Sequence, residues 1–540
     1  MQIDPRAGTL PLPSDLINLD QLIAAYYDIK PNCAIAEQRV VFGTSGHRGS
    51  SLNASFNENH ILAIAQAICL YRSANGISGP LFLGIDTHAL STVAMKTAIE
   101  VLAANGVTVM VAENNEWTPT PVISHAILSY NKKNKSALAD GIIITPSHNP
   151  PHDGGFKYNP PTGGPAPSFV TDWIQEKANA ILSALQFKRI PYRLALQSSI
   201  VKNYNYMDPY IEDLSNVIDM EAIKASGLLL GVDPLGGAGV HYWEKIAERY
   251  MINLKVLNLS TDPQFPFIPL DWDGQIRMDP SSPYAMQTLI QLQNKFDIAF
   301  ACDTDHDRHG IVTKTEGLIS SNHFLSVMMQ YLFTHRPKWT STCGIGKTVV
   351  STMMIDKIAK WLKRPFFETP VGFKWFTDGL LNGSLGCVGE ESAGATFLKI
   401  DGSPFSTDKD GIICCLLGAE MTARLGKDPS QLYNDLIQQF GPHFSQRIEA
   451  AANIKQKTYL KNITPETFPL KTLVNAPITS VFTHMQKTNI PIGGVKVISE
   501  KGWFAIRPSG TENLIKIYAE SFESDTHLRS IIAEAQLLLN

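Results

Sequence analysis

Short, almost wholly apolar runs that end on an acidic residue recur along this chain and narrow what it can fold into. LFLGID (81–86), LLLGVD (228–233) and FDIAFACD (296–303) each lead into a Gly- or Asp-containing turn and then a helix-like stretch. A strand that is apolar on both faces has to be covered on both, which calls for helices flanking a mostly parallel sheet. The first two runs share L-x-L-G-[IV]-D. Their spacing, with the third run, of roughly 70 to 150 residues is too long for a solenoid repeat and suits successive α/β domains of one architecture.

The rest of the pattern agrees. Residues 91–105 have helical character, 107–113 read as the next strand, and GIIIT (141–145) as a further buried strand. Candidate boundaries fall near 203–209, 317–322 and 426–442, giving domains over 1–205, 206–322, 323–440 and 441–540. Strands at 494–498, 503–507 and 515–519 precede one helix at 527–539, so the last domain reads as a smaller α+β unit. A length of 540 residues accommodates about three to five domains.

Charge and composition exclude several classes. Lys+Arg 46 against Asp+Glu 50 leaves a net charge of −4, so the surface as a whole is no polyanion-binding face and any anion site must be a local concentration of basic groups. No stretch approaches the ~18 apolar residues of a membrane span; the most apolar, 411–421, is interrupted by Glu420 and reads as a buried helix. MQIDPRAGTLPLPSD carries no basic region followed by an apolar core, hence no secretory signal. Seven cysteines without a CxxC pair make neither a disulfide framework nor a zinc site, and Cys414 and Cys415 read as small apolar residues of a helix. The expectation is a soluble, cytoplasmic, multidomain protein with no nucleic-acid or membrane partner.

Chemistry is concentrated in four places. In CDTDHDRHG (302–310), Asp303, Asp305 and Asp307 alternate, and an extended backbone would put all three carboxylates on one side. Three adjacent anions need a cation, and oxygen-only ligands suit Mg²⁺ or Ca²⁺. The EF-hand reading fails, because its Gly and Glu positions hold Arg308 and Lys314. In TPSHNPP (145–151) the prolines force a stiff, non-helical loop around Ser147, as a positioned nucleophile requires. Read alone, a Pro-rich turn with a surface serine accounts for it better. Lys157, ten residues on, adds an amine that serves as acid or base if desolvated. RPSGTE (507–512) offers a guanidinium, hydroxyls and an open glycine backbone to a phosphate, and an ordinary hairpin turn explains it equally well. GEESAGA (389–395) sets two carboxylates in a small-residue loop suited to sugar hydroxyls, or else makes a solvated turn. Two nucleotide-site look-alikes fail: GIGKT (344–348) has Ser341 where a P-loop needs Gly, and GGAG (236–239) has Tyr242 at the third glycine of a dinucleotide fingerprint.

Taken together, GTSGHRGS (43–50), TPSHNPP, GGFKYNPPTGGP (154–165), DPLGGAG, DTDHDRHG, TPVGFKWF (369–376), GEESAGA, STDKDG (406–411) and RPSGTEN resemble the α-D-phosphohexomutase superfamily, most closely its bacterial-type phosphoglucomutase branch. The resemblance runs from about residue 43 to 521. It implies a four-domain architecture, three similar α/β domains with mixed or parallel sheets plus a smaller C-terminal α+β domain. It also implies interconversion of glucose 1-phosphate and glucose 6-phosphate through a phosphoserine and a glucose 1,6-bisphosphate intermediate, with Mg²⁺. Ser147 would be the phosphoserine, and Asp303, Asp305 and Asp307 with a Ser147 phosphoryl oxygen would hold the metal. His148 and Lys157 resemble the proton-transfer and phosphoryl-stabilising residues, with Arg48 and Arg308 neutralising the phosphoryl group. Glu390 and Ser392 would grip sugar hydroxyls beside Val371 and Gly372, with Lys374 and Lys409 flanking the sugar phosphate. Arg507, Ser509, Gly510 and Thr511 would bind the phosphate that does not react, and Thr44 is a further contact. Thr304 and Asn513 depart from the pattern, Thr304 with little expected effect. Mutases of mannose or glucosamine phosphates, and a non-catalytic sugar-phosphate-binding paralogue, are the alternatives. Glu391 favours the glucose branch, and the retained Ser147, Lys157 and aspartates disfavour the paralogue. Assembly as monomer or homodimer stays open, as does whether the segment before Gly43 packs on its own chain or on a second copy.

Overall fold

A computed structural model describes residues 3–43, 46–508 and 514–538. Its strands form four sheets, in chain order of seven, five, four and six strands. In the first, Leu81–Ile85, Asp140–Ile144, Val109–Ala112 and Val201–Tyr204 run parallel, and the sheet continues antiparallel through Asp153–Asn159 to Gly46–Ser50. Leu81–Ile85 is buried throughout, as its continuous apolar run requires. Leu81, Leu83 and Ile85 join the core under helices Glu58–Ala74, Ala89–Ala104 and Ser168–Ala184, while Phe82 points the other way, into a core shared with Thr120–Lys133.

The second sheet places Leu230–Asp233 between Leu254–Val256 and Ile298–Cys302, all parallel, with His309–Thr313 antiparallel beyond. In the third, Gly344–Thr348 lies between Phe366–Thr369 and Leu385–Gly389. GIGKT is thus a buried strand, not a phosphate loop, and Lys347 is paired internally with Asp356 at 2.5 Å. The helix Gly411–Leu425 packs on strands Ile298–Cys302 and His309–Thr313 of the second sheet. It carries Cys414 and Cys415 into a core continuous across the first three units. All seven cysteines are free thiols. Among the described residues no helix is long and apolar enough to cross a membrane.

The fourth sheet is entirely antiparallel, from Phe444–Ala451 through Leu514–Ser521, Gly502–Pro508 and Pro491–Ser499 to Ala476–His484 and Thr472–Leu473. Helices Ile454–Asn462 and Asp525–Leu537 complete that unit. Strands Phe444–Ala451 and Ala476–His484 escaped the sequence reading because their described residues are mostly partly buried or exposed and form no apolar run. The candidate boundary at 426–442 is mostly the helix Pro429–Phe440, ended by Gly441 in a left-handed conformation.

The N-terminal segment packs on its own chain. Asp4 N donates to Trp272 O, Gly8 N to Leu270 O and Leu270 N to Thr9 O, at 2.7–2.9 Å, which ties this segment to the second unit. The helix Leu19–Asp28 then docks on the first, where Tyr26 Oη donates to Thr97 Oγ1 at 2.9 Å.

Candidate active site

One cleft of about 1180 Å³ opens between all four units. Arg48 and Lys157 line it from the first, Arg277 and Arg308 from the second, Lys409 from the third, and Arg447, Arg507 and Lys516 from the fourth. Cations from all four units thus converge on this cleft, interleaved with carboxylates such as Asp279, Asp307, Glu390 and Glu391.

The serine loop follows strand Asp140–Ile144, and Ser147 lies at φ +58°. A non-glycine residue in the left-handed region costs about 1–2 kcal/mol, so neighbouring bonds must hold it. Ser147 N donates to Thr145 Oγ1 at 2.8 Å, and Ser147 Oγ donates to Asp303 Oδ2 at 2.6 Å. His148 Nδ1 stands 3.3 Å from Ser147 Oγ, and its Nε2 3.9 Å from Asp279. Burial, then the charges of Arg308, Arg48 and Arg277, hold this imidazole neutral, well below its ordinary pKa. Asn149 Oδ1 accepts from Arg48 Nη1 at 3.0 Å.

The metal loop follows strand Ile298–Cys302. Here the structure corrects the expectation of an extended backbone. The chain turns, with His306 at φ +58°, and the turn rather than a two-residue alternation gathers Asp303, Asp305 and Asp307. One oxygen of each lies within 4.8 Å of the others, all buried. Lys157 Nζ reaches Asp305 Oδ2 at 2.6 Å and Asp307 Oδ2 at 3.1 Å, and Lys409 Nζ reaches Asp307 Oδ2 at 3.0 Å. Burial pulls Lys157 down, but Asp305 and Asp307 outweigh it and keep the ammonium. Asp303 is pushed well above the carboxylate range by burial and by Asp305 and Asp307.

Whether these residues fit a divalent cation can be judged from their oxygens. Asp305 Oδ1 and Asp307 Oδ1 are buried and, among the described residues, have no hydrogen-bond donor, a costly state for carboxylates. Three hard oxygen donors that repel one another suit Mg²⁺. The residues fit.

Cross-links hold the metal loop against the serine loop and against its other neighbours. Thr304 Oγ1 donates to Ser147 O at 2.6 Å, so the position expected to be neutral couples the loops. Thr120 donates through N to Asp305 O at 2.9 Å and through Oγ1 to Asp305 Oδ2 at 2.5 Å. Gly237 and Gly239, of the failed dinucleotide fingerprint, pack against Thr304 and His306, where a Cβ would come within 2.6 and 2.2 Å.

On the third unit, Glu390 Oε1 accepts from Gly372 N at 3.1 Å. Burial pushes Glu390 up to about 7, Glu391 adding to it against the pull of Lys409 and Arg308. Ser392 and Val371 line the cleft. Lys374 is directed instead to Ser168 Oγ, 2.7 Å away, at the contact with the first unit, and Lys409 serves Asp307. Arg507 faces the cleft from the fourth unit, its Nε donating to Ile492 O at 3.1 Å. Thr44, Ser509, Gly510 and Thr511 lie outside the described residues. The sequence reading missed Thr120, Arg277, Asp279 and Arg447. RMDP (277–280) offered a signal for two of these, whereas Arg447 sits in a strand with no motif.

A left-handed serine facing three carboxylates in a cation-lined cleft between four units is the arrangement of a phosphoryl-transfer enzyme. The comparisons with known proteins are narrower. Models of the phosphoglucomutase/phosphomannomutase family match alpha/beta/alpha domain I over residues 39–184, domain II over 208–317, domain III over 320–440 and the C-terminal domain over 460–537. The chain is 54% identical over 536 residues to a phosphoglucomutase of Komagataeibacter xylinus, covering 99% of this chain and 97% of that one. Its fold is similar to that of the open form of pp63/parafusin from Paramecium, with TM-score 0.74 at 20% identity over 95% of each chain. It also resembles a putative phosphomannomutase of Thermus thermophilus, with TM-score 0.73 at 23% identity over 93% of this chain and 99% of that one. The chain belongs to the phosphoglucomutase/phosphomannomutase family.

Proposed function

We propose the following course for the reaction of this chain, the interconversion of α-D-glucose 1-phosphate and glucose 6-phosphate. The observation that carries it is the contact of Ser147 Oγ with the metal loop in a cleft rich in fixed cations. Ser147 carries the phosphoryl group and gives it to the free hydroxyl of the sugar phosphate, forming glucose 1,6-bisphosphate. The bisphosphate turns over within the cleft and returns its other phosphate to Ser147. A volume above the roughly 300–1,000 Å³ of ordinary small-molecule pockets leaves room for that rotation.

Asp303, Asp305 and Asp307, with an oxygen of the phosphorylated Ser147, would hold Mg²⁺, whose Lewis acidity neutralises charge on the phosphoryl group when it is bound. Arg48, Arg308 and Lys157 supply fixed positive charge around the same group, which is the main requirement of phosphoryl transfer. Neutral His148, beside Ser147 Oγ, is placed to take the proton of the attacking hydroxyl. Glu390 and Ser392 receive sugar hydroxyls, with Val371 and Gly372 alongside, and Lys374 and Lys409 flank the sugar phosphate. Arg507, with Ser509, Gly510 and Thr511, binds the phosphate that is not reacting, and Thr44 is a further contact. Closure of the four domains, divided near 205, 322 and 440, keeps water from the phosphoserine.

The test is conversion of glucose 1-phosphate with Mg²⁺ and catalytic glucose 1,6-bisphosphate, run beside mannose and glucosamine 1-phosphates with released phosphate monitored. Preference for glucose with little free phosphate is the expected result. Equal turnover of the three sugars, or stoichiometric phosphate release, would overturn the glucose assignment or the water-excluding cleft respectively.

A further inference from the structure

Beneath the serine loop lies a buried group of side chains that the reaction does not touch. Strand Leu81–Ile85 runs parallel to Asp140–Ile144 with Ile85 beside Ile144, so Asp86 and Thr145 meet where the two strands end. Asp86 accepts four hydrogen bonds: His88 N at 3.1 Å and Ser91 Oγ at 2.6 Å on Oδ1, Thr145 Oγ1 at 2.7 Å and His88 Nδ1 at 2.8 Å on Oδ2. Because the Thr145 hydroxyl gives its hydrogen to Asp86, its lone pairs face the Ser147 N–H, 2.8 Å away. On the other limb of the loop, His88 Nε2 meets Asn149 O at 3.0 Å. Both ring nitrogens face acceptors, so the imidazolium form satisfies both. Asp86, His88 and Thr145 are all buried.

Resting on the phosphoserine reading, we infer that Asp86 is a positioning residue. Its carboxylate orients the Thr145 hydroxyl and the His88 ring, and these two hold the loop on either side of Ser147 in the left-handed conformation that aims Oγ at Asp303. A left-handed non-glycine residue persists only where its surroundings over-determine it, and here the backbone N–H of Ser147 and the carbonyl of Asn149 are both held by side chains that Asp86 fixes. A carboxylate serving only to satisfy its buried neighbours would give stability without governing the reaction. The two roles separate in kinetics.

The test uses the full chain with Mg²⁺ and glucose 1,6-bisphosphate. Thr145→Val removes the hydroxyl at constant shape, Thr145→Ser keeps it, and Asp86→Asn presents an amide to the Thr145 hydroxyl in one rotamer and costs His88 its ion pair in both. A displaced nucleophile costs roughly 100-fold, so Thr145→Val should lower kcat by about that factor. KM should stay within about threefold, as for an interaction that matters to the chemical step alone; the melting temperature should fall, because the buried Ser147 N–H loses its acceptor, with the variant still fully folded at the assay temperature. Thr145→Ser should recover most of the loss, and Asp86→Asn should also lower kcat more than it raises KM. A kcat for Thr145→Val within about threefold of the parent, equal losses in the Ser and Val variants, or a loss matched by the fall in folded protein would overturn the inference. Ser147→Ala, assayed in parallel, separates this from the reading beneath it: turnover in that variant would sink the phosphoserine assignment whatever Thr145 does.

Discussion

The serine loop and the metal loop are built alike and held differently. Each follows a buried strand and turns through one residue at φ +58°, Ser147 in the first and His306 in the second. The serine loop is held by Thr145, which accepts from Ser147 N, and by His88, which meets Asn149 O, both anchored on the Asp86 carboxylate. The metal loop is held by backbone contacts and by the ammonium groups of Lys157 and Lys409, and two of its carboxylate oxygens have no donor among the described residues. His306 helps as a neutral acceptor, since burial pushes it down to about 4 and Trp243 Nε1 donates to its Nε2 at 3.2 Å. The first arrangement fixes where an atom sits. The second fixes how much charge is present and leaves part of it to be answered by a cation. A phosphoryl-transfer site needs both, and this chain supplies them on separate loops joined by Thr304 and by the Ser147–Asp303 bond, with Thr120 tying the metal loop to the helix that Thr120 begins.

The largest effect should come from the charged loop. Asp305→Asn removes one candidate metal ligand and the partner of Lys157 and Thr120, and kcat should fall on the order of 100- to 1000-fold, the scale of losing a main electrostatic stabiliser. Titration of Mg²⁺ should show a weakened requirement curve, and an unchanged one would break the distinction between the loops. Next is the bond that joins them. Thr304→Val leaves the buried Ser147 carbonyl without its donor, at about 1–3 kcal/mol. It should lower kcat about tenfold, read together with the melting temperature, and a silent substitution would show that the loops act independently.

Away from both loops the effect is a matter of pH. Glu390, with its pKa about 7, is protonated below that value and charged above it. A carboxylate that accepts from sugar hydroxyls must be ionised, so KM for the sugar phosphate should rise as pH falls from 8 to 6, by roughly tenfold at the acid end. Glu390→Gln should show a raised KM with a flat profile once the titration of the substrate phosphate is subtracted. The smallest effect isolates the strand-end acids themselves. Asp233 ends LLLGVD as Asp86 ends LFLGID, but among the described residues it accepts from Leu235 N alone, at 2.9 Å. Asp233→Asn should therefore leave kcat within about threefold, where Asp86→Asn does not.

That contrast also shows how far the sequence could be read. The apolar strands, their helices and the acid at each strand end are local properties, and they came out at nearly the observed positions. Four motifs pointed to Ser147, the aspartates, Glu390 and Arg507; the structure brings Asp307, Glu390 and Arg507 to one cleft and buries Ser147, Asp303 and Asp305 beside Asp307. What the sequence does not encode locally is which strand end stands beside which. Asp86 and Asp233 sit in the same pattern, and only the parallel pairing of Leu81–Ile85 with Asp140–Ile144 gives one of them a serine loop to hold. The same holds for Thr120, 185 positions from Asp305, and for Arg447, brought to the cleft by an antiparallel sheet whose first strand has no apolar run. The turn of the metal loop was misread because alternation of acids suggests a strand, whereas a left-handed His306 needs the packing of Gly239 and Trp243 to hold it.

The central claim is that Ser147 carries the phosphoryl group between the two ends of the sugar. Its most direct test is the mass of the intact chain, with the modified residue mapped, after exposure to glucose 1,6-bisphosphate and Mg²⁺ and again after a chase with glucose 1-phosphate. The account predicts one phosphoryl group per chain, on Ser147, discharged by the chase as bisphosphate appears. A chain that turns glucose 1-phosphate over while remaining unmodified, or while carrying its phosphate on another residue, would contradict it.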